Sequence, residues 1–149
     1  MDEYFAEKLR GFDGVWARVS GGGEMPAAAT APAADISAFL RSESTLAGIY
    51  RRLAVSPAVG VAQRAAALHR SVGGSMARLR VQRFLQSGGG APVPAATPPE
   101  GTAPQLLRQA YIIESDLAAD YAACGYSVLA GICEARRQEV CAMLLAFMS

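Results

Sequence analysis

Apolar residues recur every three or four positions in four stretches of the chain, which is the spacing of one face of an α-helix. Asp35 stands where the first stretch needs an N-cap, because its carboxylate can accept from free N–H groups of the first turn. Ser56 and Pro57 end that stretch, since proline is not tolerated inside a helix. The spacing predicts four helices, over residues 35–54, 58–86, 104–123 and 127–147.

Two segments rich in glycine, alanine and proline, residues 20–34 and 87–104, separate these helices from each other and from the N-terminus. Such segments bury little, so we interpret both as linkers or irregular crossovers. The connections after the first and third helices are short, which makes each pair an antiparallel hairpin. The sequence therefore predicts an all-α protein, with a four-helix bundle at 35–149 whose hairpins are joined by a long crossover.

Residues 1–34 form a separate N-terminal unit, an amphipathic arm at 1–19 followed by the first linker. The arm carries one apolar stripe at helical spacing: Tyr4, Phe5, Leu9, Phe12 and Trp16. We expect it to be a helical arm that packs back on the bundle. The alternative is a docking peptide for a partner protein.

Composition excludes several classes of function. The chain has 149 residues, 52% of them apolar, and a net charge of +1. With no continuous basic stripe and no apolar run long enough to cross a bilayer, we expect neither nucleic acid nor membrane as a partner. The three cysteines are odd in number and lie in helical sequence, and the N-terminus has no apolar leader, so we expect a cytoplasmic protein. Apolar surface left over on a short bundle favours a homodimer or an unidentified protein partner.

Two glutamates interrupt the apolar stripes. Glu43 lies in the stripe of the first helix and Glu114 in that of the third, and each is followed seven residues later by a tyrosine, Tyr50 or Tyr121. A buried carboxylate is costly unless it is paired, so both positions predict a polar site inside the bundle.

This pattern, one buried Glu followed by a Tyr in each hairpin of a four-helix bundle, resembles the rubrerythrin-like branch of the ferritin-like superfamily over residues 35–149. The resemblance implies a ferritin-like four-helix bundle. It also implies a site for two iron or manganese ions, in which the first helix of each hairpin gives one Glu and the second gives a Glu-x-x-His pair.

The resemblance assigns Glu43 and Glu114 to the single-Glu positions, but the other four ligands are missing. The Glu-x-x-His positions are occupied by Val72 and Ser75 in the second helix and by Arg137 and Val140 in the fourth. His69, the sole histidine, matches neither His position. Two of six ligands remain, so we expect no ordinary di-iron centre and no resident cofactor.

Something must then compensate the two glutamates. We hypothesise that Arg137, at a former ligand position, points inward and pairs with Glu43, Glu114 or both, while Tyr50 and Tyr121 donate hydroxyl hydrogen bonds. The alternative is that Arg137 reaches solvent and both glutamates lie at wet edges of the bundle.

The expected function is therefore a ferritin-like protein that has lost di-iron chemistry and serves a structural or interaction role. The alternative is an atypical di-iron or di-manganese oxidoreductase, of the peroxide-scavenging or ferroxidase type, that uses Glu43 and Glu114. Such a site would need Asp116, Asp120, Glu134 or Glu139 to turn inward. We also expect Gly73 and Gly74, inside the second helix, to let a neighbouring helix approach closely. The alternative is that they kink this helix and open a small pocket.

Overall fold

Four helices form the protein in a computed structural model that describes residues 35–87 and 99–148. They are α1 (Ile36–Leu53), α2 (Val59–Ser87), α3 (Ala103–Ala123) and α4 (Ser127–Met148). The described ranges contain no strand, so the all-α prediction is confirmed there. The N-terminal arm, the linker at 20–34 and residues 88–98 of the crossover lie outside the described residues.

Side chains at the helix ends explain where two of the helices start. Asp35 Oδ1 accepts a hydrogen bond from Ala38 N at 3.0 Å, which confirms the predicted N-cap of α1. Thr102 and Gln105 form a reciprocal capping box at the start of α3, each side chain bonding the other residue's backbone N–H. Gly125, with a positive φ of 79°, makes the tight turn between α3 and α4.

Contacts between the ends of the helices define how the two hairpins lie. The Phe39 ring, near the start of α1, lies 6.3 Å from the Tyr126 ring in the turn after α3. Arg52, near the end of α1, donates to the carbonyl oxygen of Pro99 at 2.7 Å, just before α3. Helices α1 and α3 are therefore antiparallel, so Ser87 and Ala103 lie at opposite ends of the bundle.

The core is built from all four helices, and its large apolar side chains are almost completely buried. Its most deeply buried aliphatic residues include Leu46, Ile49, Leu79, Leu107 and Leu144. Packing is closest within each hairpin, weaker between α1 and α3, and weaker again between α2 and α4. One side of the bundle, the seam between α2 and α4, is thus less tightly closed than the others.

The expectation for the glycine pair in α2 was wrong. Gly73 and Gly74 are exposed, and a Cβ added at either would meet nothing within 4 Å. No side chain lies against this face of α2, so these glycines have no packing role and weaken the helix.

None of the four described helices is long and apolar enough to cross a membrane. The three cysteines, Cys124, Cys133 and Cys141, are all free thiols.

Candidate functional site

Glu43 and Glu114 face each other in the middle of the bundle, on α1 and α3. Both side chains are 0% exposed. This agrees with the apolar stripes in which they stand, and it contradicts the alternative that they lie at wet edges. Two acidic groups without access to water need a compensating charge.

Arg136 supplies that charge. Its Nη2 donates to Glu43 Oε1 at 2.6 Å. Its Nε lies 3.0 Å from Oε1 and 2.8 Å from Oε2 of Glu114. The guanidinium is 3% exposed, so one planar cation joins both carboxyls inside the core.

The hypothesis that Arg137 makes these contacts was wrong by one residue. Arg137 is also buried, but it pairs with Glu134 one turn earlier, and its Nη1 donates to the Tyr111 hydroxyl at 3.2 Å. Steps of three and of four residues both follow a helix face, so Arg136 and Arg137 are equally compatible with a stripe that starts at Cys133. Side-chain direction in the folded bundle decides between them.

Three further side chains complete the polar core around this arginine. Ser75, on α2, accepts from Arg136 Nη1 at 3.1 Å. The Cys133 sulfur accepts from Nη2 at 3.1 Å. The Tyr50 hydroxyl donates to Glu114 Oε2 at 2.6 Å, which confirms its predicted role. The network therefore draws at least one side chain from every helix.

Tyr121 does not make the hydroxyl hydrogen bond that was predicted for it. Its hydroxyl and Glu43 Oε2 are both buried, and neither makes a hydrogen bond to any residue in 35–87 or 99–148. The ring packs edge-on against Phe39, with centroids 4.7 Å apart. Tyr121 thus contributes chiefly as a core aromatic.

Burial is the main electrostatic effect on this cluster. Desolvation raises the pKa of Glu114 to about 7, although Arg136 and the Tyr50 hydroxyl oppose it. Desolvation raises the pKa of Glu43 as well, chiefly against the attraction of Arg136. The pKa of Arg136 is raised, because attraction to both glutamates outweighs its desolvation. Two carboxyls share one guanidinium, so the cluster favours holding a proton at neutral pH.

The remaining predicted ligand positions are apolar or distant. Val72 and Val140 are completely buried and offer no ligand atom, while His69 is exposed. Of the acids that would have to turn inward, Asp116 and Asp120 are exposed. The other two pair with arginines instead, Glu134 with Arg137 and Glu139 with Arg64.

The donors that do converge are Glu43, Glu114 and Cys133, whose ligand atoms all lie within 4.8 Å of one another. A pair of divalent ions does not fit this set. Arg136 already bonds both carboxyls and would repel a cation from the same space. Burial also raises the pKa of the Cys133 thiol, which keeps it protonated and a poor ligand.

Sequence reasoning missed Arg136 and Cys133 as members of the cluster. A signal was present, because Cys133, Arg136 and Val140 follow steps of three and four along α4. No family model, curated protein or solved structure matches this chain.

Proposed function

We propose that this protein is a ferritin-like bundle without di-metal chemistry, in which a buried arginine takes the place of the metal charge, and that it serves a structural or protein-interaction role. The observation that carries the proposal is the bonding of Arg136 to both Glu43 and Glu114. One fixed cation holds together the two carboxyls that the resemblance assigns to metal binding.

The arrangement of helices supports the ferritin-like part of this proposal. Two hairpins with antiparallel α1 and α3 need a connection that runs from one end of the bundle to the other, as one-crossover bundles of the ferritin type do. Glu43 and Glu114 meet at the centre of such a bundle.

The donor set supports the loss of chemistry. A di-metal site needs several carboxylates to neutralise and bridge two divalent ions, with imidazoles to complete each shell. Among the described residues, the converging donors are two carboxyls and one thiol, and the guanidinium occupies the space between them. Arg136 can hold the carboxyls in place, but it offers no ligand and no open coordination position.

Bound metal per chain is the direct test. The protein is expressed in medium supplemented with iron and manganese, purified without chelator, and measured by mass spectrometry. We expect well below one ion per chain, with no gain in peroxide consumption or iron oxidation after metal is added. About two ions per chain, lost on substitution of Glu43 by Gln, would overturn the proposal.

A metal-binding oxidoreductase is the second candidate, favoured by the proximity of Glu43, Glu114 and Cys133. It requires Arg136 to leave its four bonding partners before any ion can enter. An Arg136→Ala variant separates the two candidates. If Arg136 blocks the site, this variant binds more divalent metal than wild type, whereas a native metal enzyme already binds metal with Arg136 present.

A further inference from the structure

Helix α2 has apolar residues on two opposite sides. One side enters the core through Leu68, Val72 and Leu79, which are buried. The opposite side faces away from the bundle, since two residues along a helix turn it by about 200°. Its exposed residues follow steps of three and four from 73 to 85, and we call them the outward stripe: Gly73, Gly74, Ala77, Val81, Phe84 and Leu85. A helix at the surface of a bundle normally turns polar residues to water, so this stripe lacks a partner.

The outward side of α3 shows the normal pattern. Its exposed positions at the same spacing are Gln105, Gln109, Ile112, Asp116 and Asp120. Ile112 is thus an isolated apolar residue on a polar face, which needs no explanation. The outward stripe of α2 is a different kind of surface.

The large side chains of the stripe are concentrated in the last turns of α2. Val81 is 61%, Phe84 64% and Leu85 73% exposed. After Leu79 the described residues of α2 include no buried one, so these turns project from the core. Val128, at the start of α4, is also exposed and lines one cavity together with Arg78 of α2. A projecting apolar surface suits a deformable partner better than a preformed protein pocket.

The charges beside the stripe are all positive. Helix α2 contains no Asp or Glu. Arg78 and Arg80 lie one residue to either side of Leu79, so they flank the stripe on both edges, and Arg70 lies one turn before Gly74. None of these three arginines bonds an acid within residues 35–87 and 99–148.

Acids elsewhere in the described chain do not cancel this charge. Asp35 and Glu43 are the two acids of residues 35–87, and the first caps α1 while the second is buried. The acids of α4, Glu134 and Glu139, each pair with an arginine. The exposed acids of α3 lie on a helix that packs against α1 and α4. An anionic partner can therefore approach α2 without repulsion from a neighbouring carboxylate.

We propose that the outward stripe of α2 binds the surface of a membrane that contains anionic lipids. The helix lies in the plane of the bilayer surface, with Val81, Phe84 and Leu85 among the head groups and the arginines beside lipid phosphates. The expectation of no membrane partner rested on the lack of a spanning apolar run, which a helix at the surface does not need. This inference goes beyond the structural role proposed above, and neither depends on the other.

A second copy of the chain fits the stripe less well. Two α2 helices that face each other across a two-fold axis bring the arginines of one copy against those of the other. Like charges at such an interface oppose association, whereas anionic lipid attracts every arginine.

Cosedimentation of the full-length protein with vesicles tests the proposal. Vesicles of phosphatidylcholine alone are compared with vesicles that also contain phosphatidylserine, at low and at high salt. We expect binding to the anionic vesicles, with affinity at least about tenfold lower for the neutral ones. High salt should weaken the binding, because it screens the arginines from the lipid charge.

Two substitutions test the apolar part of the stripe. Phe84→Gln combined with Leu85→Gln should lower the affinity for anionic vesicles on the order of tenfold or more, since both side chains leave water on binding. Ile112→Gln is the matched control, because Ile112 is an exposed apolar residue on the outward side of α3. It should leave the affinity unchanged.

A second pair of substitutions tests the charges. Arg78→Gln combined with Arg80→Gln should lower the affinity about tenfold or more, because each arginine near an anionic surface contributes about fivefold. Arg41→Gln combined with Arg51→Gln removes the same charge from exposed positions of α1 and should lower it clearly less. All these side chains are exposed, so every variant should keep the helical circular dichroism of wild type.

The proposal fails if the wild-type protein does not sediment with anionic vesicles at low salt, or if it binds neutral vesicles equally well. It also fails if the change at Phe84 and Leu85 has no more effect than Ile112→Gln. A dimer in light scattering that the change at Phe84 and Leu85 dissociates, together with no vesicle binding, would assign the stripe to a second copy instead.

Discussion

Replacing Arg136 by Met should destabilise the bundle far more than the same change at Arg137. Arg136 bonds two carboxyls that are 0% exposed, and also Ser75 and Cys133. Removing the cation leaves those carboxyls without their charged partner in a dry core. Breaking a buried ion pair on one side costs about 3–5 kcal/mol.

Arg137→Met is the matched control, because this arginine is equally buried and adjacent in sequence. Its carboxylate partner, Glu134, is 25% exposed and can be solvated once the arginine is gone. Arg137→Met should therefore lower the free energy of unfolding by about 1 kcal/mol. The difference between the two variants should therefore be about 2–4 kcal/mol, a large part of the 5–15 kcal/mol typical of a domain.

Urea unfolding followed by helical circular dichroism measures both free energies. If Arg136→Met does not fold, a triple variant with Gln at both glutamates and Met at 136 restores the fold, because neutral groups need no cation. The reasoning is refuted if Arg136→Met is as stable as wild type, or if Arg137→Met loses as much as Arg136→Met. Failure of the triple variant to recover any stability would also count against it.

Three other predictions concern the same bundle. Since the folded pKa of Glu114 is raised to about 7 from the ordinary 4.5, its contribution to stability is complete below pH 4.5 and is lost as the pH rises through 7. Urea unfolding should thus give a lower free energy at pH 8 than at pH 5, by up to about 3 kcal/mol, and Glu114→Gln should remove most of that difference. Tyr50→Phe should lower the free energy of unfolding by about 1.5–3 kcal/mol, because the Tyr50 hydroxyl bonds a carboxylate at 2.6 Å. Tyr121→Phe should lower it clearly less in the same assay, because the Tyr121 hydroxyl bonds no described residue. Equal losses in the two variants would contradict this assignment of the hydroxyls. Gly73→Ala and Gly74→Ala should each stabilise the bundle by about 0.5–1 kcal/mol, because both glycines lie in a helix with open space beside them. The measurement is a higher melting temperature for each variant. A lower melting temperature would contradict the absence of a packing role for these glycines.

The four helices and the burial of both glutamates could be predicted from the sequence. The spacing of apolar residues along a helix depends on the local sequence alone, so each helix was placed to within one residue at either end. Glu43 and Glu114 were expected inside because their neighbours at three and four positions are apolar. Asp35 was recognised because capping depends on a single short contact.

The partner of the glutamates was not decided by the sequence. Arg136 and Arg137 are both on the buried side of α4, and periodicity does not distinguish a step of three from a step of four. The packing of α4 against α3 turns Arg137 toward Tyr111 and leaves Arg136 facing the centre.

The sequence by itself determined which segments are helical and that two acids lie in the core, because both follow from local spacing and from the need to bury apolar surface. The tertiary structure alone decided which arginine neutralises those acids, that the Gly73–Gly74 pair faces open space, and that the α2–α4 seam is open. These features depend on distances between helices and on side-chain directions, which arise when separate segments of the chain pack together.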